Sequence, residues 1–172
     1  EENCLNCHNG NVATKDVKSD FLKTYRHNVY GYNAVHDPVE PASVTSTHVE
    51  CQDCHNPHAT NSNTASAPNV KGSLTGVRGI DINGQDVASA SYEYEVCFRC
   101  HSNNRAIPRY ITRYRGIGNT RLDFATTNVS YHPVVGPGKN SSMTTLASPY
   151  TPSSQIYCSA WCLMIYLGRW FQ

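Results

Sequence analysis

Long amphipathic patterns are scarce along this chain. From Val17 to Arg26, V-K-S-D-F-L-K-T-Y-R, apolar side chains fall at Val17, Phe21, Leu22 and Tyr25, the i, i+4, i+5, i+8 spacing of one short helix. Around Asn83-Gly84 the run G-V-R-G-I-D-I-N-G-Q-D-V alternates apolar and polar residues. It carries the dipeptide favoured in a type I′ turn, so it predicts a small β-hairpin. Tyr92 to Arg99 predicts a second short helix. Thr60 to Asn69 and Pro137 to Ser142 are polar and turn-rich, and read as loops. The expected fold is mostly irregular coil with a few short α-helices and one small hairpin. Such a chain buries little of its own surface, yet ordering costs about 1–2 kcal/mol per residue in conformational entropy. A large apolar cofactor would supply the missing core.

At 172 residues and 19.1 kDa the length suits one domain. We assign residues 1–157 to it and treat 158–172 as an atypical tail. A formal charge of +1, with 16% charged residues, gives no electrostatic reason to expect nucleic acid or an anionic membrane as partner. No apolar run approaches the ~20 residues of a membrane helix. The chain opens at Glu1 with neither Met nor a signal-like apolar segment, which reads as a processed chain or a fragment. Eight cysteines and eight histidines in a chain of mean hydropathy −0.49 are the compositional outliers.

Those residues are organised. C-L-N-C-H occupies Cys4 to His8, C-Q-D-C-H occupies Cys51 to His55, and C-F-R-C-H occupies Cys97 to His101. A zinc site needs two cysteine pairs and no histidine at this position, so three identical blocks suit it poorly. A thioredoxin-type pair would occur once, beside a βαβ pattern that is missing, and a disulfide framework would not specify histidines. Histidine supplies 8 of 172 residues, so chance places it behind all three pairs with odds of about 10⁻⁴. C-x-x-C-H is the attachment sequence of c-type haem, in which two cysteines form thioethers and the histidine ligates iron. On about one helical turn, cysteines at i and i+3 share a face. We therefore expect at least three covalent haems, held by Cys4 and Cys7, Cys51 and Cys54, and Cys97 and Cys100, with His8, His55 and His101 as proximal ligands.

Three irons need three distal ligands. Only Met143 and Met164 exist as methionines, whereas His27, His36, His48, His58 and His132 remain. Histidine on both faces is the economical reading, and it implies low-potential haems that carry electrons. His58 follows His55 by three residues and cannot reach the opposite face of the same haem, so it should serve another; His48 invites the same argument. The eleven tyrosines read as packing residues, and Arg105, Arg109, Arg113 and Arg115 as propionate partners or a solvated basic face. Asn128-Val129-Ser130 and Asn140-Ser141-Ser142 match the glycosylation acceptor pattern.

Four stretches, E-C-Q-D-C-H-N-P-H (50–58), G-V-R-G-I-D-I-N-G (76–84), Y-E-Y-E-V-C-F-R-C-H-S (92–102) and N-V-S-Y-H-P-V-V-G-P-G-K (128–139), make the chain resemble multihaem cytochromes with doubled CXXCH motifs. The nearer likeness is to the four-haem-per-subunit cytochromes that polymerise into extracellular filaments in metal-reducing bacteria, and it extends nearly to Tyr157. The resemblance implies bis-histidine haems stacked in a chain through a largely irregular fold, with His58 and His132 among the distal ligands. It also implies export, because c-type attachment takes place outside the cytoplasm. The likeness ends where a final C-S-D-C-H-G is expected. Here the sequence reads C-S-A-W-C-L from Cys158, and Leu163 supplies no ligand for a fourth haem on Cys158 and Cys162.

The function expected is electron transfer rather than catalysis, by an exported, extracellular or cell-surface filament subunit. Its partners would be identical subunits, other redox cytochromes or external acceptors. A soluble periplasmic carrier is the alternative. A multihaem reductase of nitrogen or sulfur oxyanions comes after it, since it would need one iron open on its distal side.

Overall fold

A computed structural model of the chain describes residues 2–24, 26–27, 29, 49–102, 119–142, 146 and 148–160. Among these the regular elements are α1 (Glu2–Leu5), α2 (Val17–Asp20), α3 (Cys51–Cys54), a 3-10 turn (Gly72–Leu74), β1 (Gly79–Ile80), β2 (Asp86–Val87), α4 (Glu93–His101) and α5 (Thr120–Asp123). Short helices, one two-stranded antiparallel sheet and irregular chain between them are the architecture that the sequence pattern predicts.

The longest element, α4, forms because its ends and faces agree. The Glu95 carboxylate turns back to accept from the backbone N–H groups of Ser91 (2.7 Å) and Tyr92 (3.1 Å), satisfying donors at the start of the helix. Glu93 and Glu95 lie in the first turn and Arg99 and His101 in the last, complementing the helix dipole. Tyr94 and Phe98, one turn apart, pack with tilted rings at 5.4 Å, and Phe98 meets Phe124, which follows α5, at 6.2 Å. Val134 and Cys158 complete this cluster, while Val96 packs on the other flank with Val77 and Ala90. Each fully buried large apolar side chain contributes about 1.5–3 kcal/mol, so these clusters secure the neighbourhood of α4.

The hairpin runs beside it, with Gly79 opposite Val87 and Ile80 opposite Asp86. Its turn differs from the type I′ expectation. Among the described residues only glycines have positive φ, so Asn83 does not adopt the conformation that type I′ requires there. Instead Gly84 N–H donates to Asp81 O (3.0 Å), Gly84 takes φ +84°, and the Asp81 carboxylate accepts from the N–H groups of Asn83 (2.8 Å) and Gln85 (2.7 Å). The aspartate side chain organises a longer loop and leaves the left-handed step to glycine.

The helix predicted over 17–26 is also shorter. Asp16 caps α2 through Ser19 N–H (3.0 Å), and the helix ends at Asp20 with Phe21 as its C-cap. Leu22 is 68% exposed, and a helix this short has little to hold it without a packed apolar face. The 60–69 and 137–142 segments form no regular element, as expected.

Candidate functional site

The three blocks share one local construction. In α4, Cys97 and Cys100 stand one turn apart and His101 is the final helical residue. In α3, Cys51 and Cys54 are the first and last residues, and His55 leaves the helix with extended φ −134° and ψ 129°. Glu50 N–H donates to the Asp53 carboxylate at 2.8 Å and starts that turn. Cys4 lies in α1, and the turn continues through the block, with His8 N–H donating to Cys4 O at 2.9 Å. A loop closes over 9–16, and the His8 carbonyl accepts from Val17 and Lys18 N–H. All six cysteines are free thiols, exposed at Cys4 and Cys7 and half-buried in the other two blocks.

The second and third blocks are tied together by their variable residues. Arg99, between Cys97 and Cys100, donates to the Asp53 backbone carbonyl at 2.8 Å and lies 3.7 Å from the Asp53 carboxylate, between Cys51 and Cys54. Burial, the Asp53 charge and nearby Cys100 push the Cys54 thiol up to about 11. Neighbouring Cys158 and burial hold the Cys97 thiol well above the usual range, while Cys97 holds Cys158 down.

Two histidine geometries bear on the cofactor. The rings of His27 and His101 face each other with centroids 6.2 Å apart and planes inclined by 43°. Two imidazoles on opposite sides of one metal, each with a bond of about 2.0 Å and a ring centre about 1.2 Å behind the nitrogen, have centroids about 6.4 Å apart. The observed separation fits that span. His55 presents the second geometry: its Nδ1 lies 2.7 Å from the Ser73 carbonyl in the 3-10 turn. A carbonyl only accepts, so Nδ1 carries the ring proton and Nε2 keeps the lone pair that a metal requires. Ser73 has no signal in the sequence, because its contribution is a backbone oxygen.

His8, His27, His55, His58, His101 and His132 all present exposed side chains. His58 is fixed through its backbone, whose N–H donates to Asn56 Oδ1 at 3.0 Å, and the Asn56 amide donates to Gly76 O at 3.1 Å. Partial desolvation lowers the pKa of His132 even though its side chain remains exposed, which favours the neutral ring. His36, His48, Met143, Met164, Cys162, Leu163 and the arginines at 105, 109, 113 and 115 lie outside the described residues. Of the two glycosylation acceptors, Asn128 uses its amide to donate to Leu122 O (2.8 Å) and Asp123 O (3.3 Å), whereas Asn140 is exposed.

The donor set fits haem c: paired free thiols on a single turn, an imidazole beside each pair, a fixed tautomer at His55 and a second imidazole at metal-spanning distance from His101. The family model for outer membrane cytochrome MtrC/MtrF-like, domains II/IV, matches residues 1–130. Neither a curated protein nor a solved structure matches the chain. With the match covering most of the sequence, this chain belongs to the outer membrane cytochrome MtrC/MtrF-like family, whose members are c-type haem electron-transfer proteins rather than enzymes.

Proposed function

We propose that the chain is a relay of at least three haems that passes electrons toward acceptors outside the cell. Cys4 and Cys7, Cys51 and Cys54, and Cys97 and Cys100 attach the macrocycles, with His8, His55 and His101 as proximal ligands. Distal ligands come from His27, His36, His48, His58 and His132, and His27 serves the iron held by His101. The observation that carries this reading is the 6.2 Å separation of the His27 and His101 rings, which matches the span of two imidazoles on one metal. Bound haem supplies a one-electron iron couple. The chain's own part is to orient imidazoles, as Ser73 orients His55, and to hold the second and third blocks together through Arg99 and Asp53. Imidazole on both faces leaves iron no open position for substrate, which favours conduction.

Family membership supports an extracellular or cell-surface location, and low net charge limits repulsion between identical subunits in a filament. Intact mass and the visible spectrum test the relay together. Each covalent haem adds about 0.6 kDa. At least three additions and a low-spin spectrum are expected; a bare polypeptide mass would end the proposal. Negative-stain imaging decides assembly: filaments support the polymer, and only discrete particles at high concentration return the chain to a soluble periplasmic carrier.

A further inference from the structure

Two acceptor patterns, Asn128-Val129-Ser130 and Asn140-Ser141-Ser142, have no part in the relay. A glycan is added to an asparagine amide nitrogen that a transferase can reach, so what each side chain already does separates the two. Asn128 is half-buried, and its Nδ2 donates to Leu122 O at 2.8 Å and to Asp123 O at 3.3 Å. Both carbonyls lie at the C-terminal end of α5, so this amide helps to close that helix. The Asn128 carbonyl also accepts from Lys139 Nζ at 2.5 Å, which pins the residue further.

Asn140 is arranged the opposite way. It is exposed, as are Ser141 and Ser142, and lies outside any helix or strand. Its Oδ1 accepts from the Ser142 N–H at 3.1 Å and from the Ser142 hydroxyl at 3.1 Å. Its Nδ2 makes no hydrogen bond among the described residues. The amide oxygen is thus held by the very residue that the acceptor pattern demands, and the nitrogen is left free.

We propose that Asn140 is a glycosylation site of the folded, exported chain and that Asn128 is not. The donor is a saccharide carried on a polyprenyl diphosphate, and the catalyst is a membrane-bound oligosaccharyltransferase. Asn140 Nδ2 attacks the anomeric carbon of the saccharide. A C–N bond forms there as the C–O bond to the diphosphate breaks, and the lipid diphosphate leaves. The amide gives one proton to a base of the transferase, and no electron is transferred. Asn128 would have to surrender both bonds that close α5 before its nitrogen could react. The proposal rests on the cell-surface location that family membership supports, and not on the haem relay.

The test uses the haem-loaded chain recovered from the surface fraction of its own cells. Trypsin cuts after Lys139 and puts the two asparagines on separate peptides, 122–139 and 140–169. Mass spectrometry with electron-transfer fragmentation should find saccharide on Asn140 and the 122–139 peptide at its bare mass. Ser142→Ala keeps the N–H and loses the hydroxyl, so it should cut occupancy at least about tenfold, whereas Ser142→Thr should preserve it. Haem content should be unchanged in both variants. Bare Asn140 in the surface chain, equal occupancy of Asn128, saccharide on Ser141 or Ser142 instead, or undiminished occupancy in Ser142→Ala overturns the site. A chain found only in the cytoplasm overturns the export reading and the site with it. A glycosylated surface chain without haem mass overturns the relay and leaves the site standing.

Discussion

Arg99→Met removes the tie between the second and third blocks while keeping a long apolar stem in place. Two contacts are lost. One is the charge-assisted hydrogen bond to the Asp53 carbonyl at 2.8 Å, a class worth about 1.5–3 kcal/mol. The other is the ion pair at 3.7 Å, with side chains only 20% and 15% exposed. At an effective dielectric near 20 that separation corresponds to about 4–5 kcal/mol of gross attraction, most of it offset by desolvation. We expect a net loss of about 2 kcal/mol, which lowers Tm by about 4–8 °C in a chain of this length. Asp53→Asn separates the two, because the backbone carbonyl survives and only the charge goes. It should cost about half as much, and the double variant should depart from additivity by at least about 0.5 kcal/mol. The assay is thermal unfolding of the haem-loaded chain followed by far-ultraviolet circular dichroism. Strict additivity of the two changes, or an Arg99→Met Tm equal to wild type, would refute a physical link between the blocks.

Other expectations follow from single contacts. His27→Ala should leave the iron held by His101 five-coordinate, so one haem turns high-spin and binds CO after reduction with no change in haem mass; spectra that stay wholly low-spin remove His27 as a ligand. Gly72→Ala would drive a Cβ into Asn61 Oδ1 and to 2.6 Å from Asn63 N, so the turn presenting Ser73 must shift. It should cost about 1–3 kcal/mol, seen as a lower denaturation midpoint together with a changed low-spin signal from the His55 haem. In the haem-free chain Cys54 should alkylate with an apparent pKa of about 11. Its folded pKa lies above the ordinary 9.0, so the stability it contributes is present below pH 9 and lost as the pH rises toward 11, which a pH series of unfolding midpoints checks.

The sequence makes some of this legible, and the reasons are local. C-x-x-C-H places all attachment chemistry within five residues, so the blocks can be read without knowing the fold. The α4 helix was equally readable, since Glu95, Tyr94 and Phe98 supply cap and face within the helix itself. The hairpin was readable but its turn was not. Asn83-Gly84 suggested a two-residue connection, and Asp81, a residue with no special place in that pattern, took over the hydrogen bonding. The helix over 17–26 failed for a different reason: its periodicity was real, but the structure gives Leu22 no surface to pack on.

Partner identity is what local patterns cannot carry. Asp53 and Arg99 sit in equivalent variable positions of two blocks, and opposite charges there hint at a pair, yet only their 2.8 Å contact establishes it. His27 had no sequence feature that ranked it above His58 or His132. It faces His101 from a segment whose nearest regular element is the four-residue α2, and nearby Val29 is buried at 3% exposure. The apolar clusters surround α4 and leave α1 with Leu5 alone as a buried residue. Among the described residues, little side-chain packing therefore joins the N-terminal segment to α4. In the proposed relay a metal–imidazole bond from His27 makes that connection, and the contact organising this part of the chain would then belong to ligand chemistry rather than to hydrophobic periodicity. That is why the repeated motif announces the cofactor while the pattern of apolar residues announces so little of the fold.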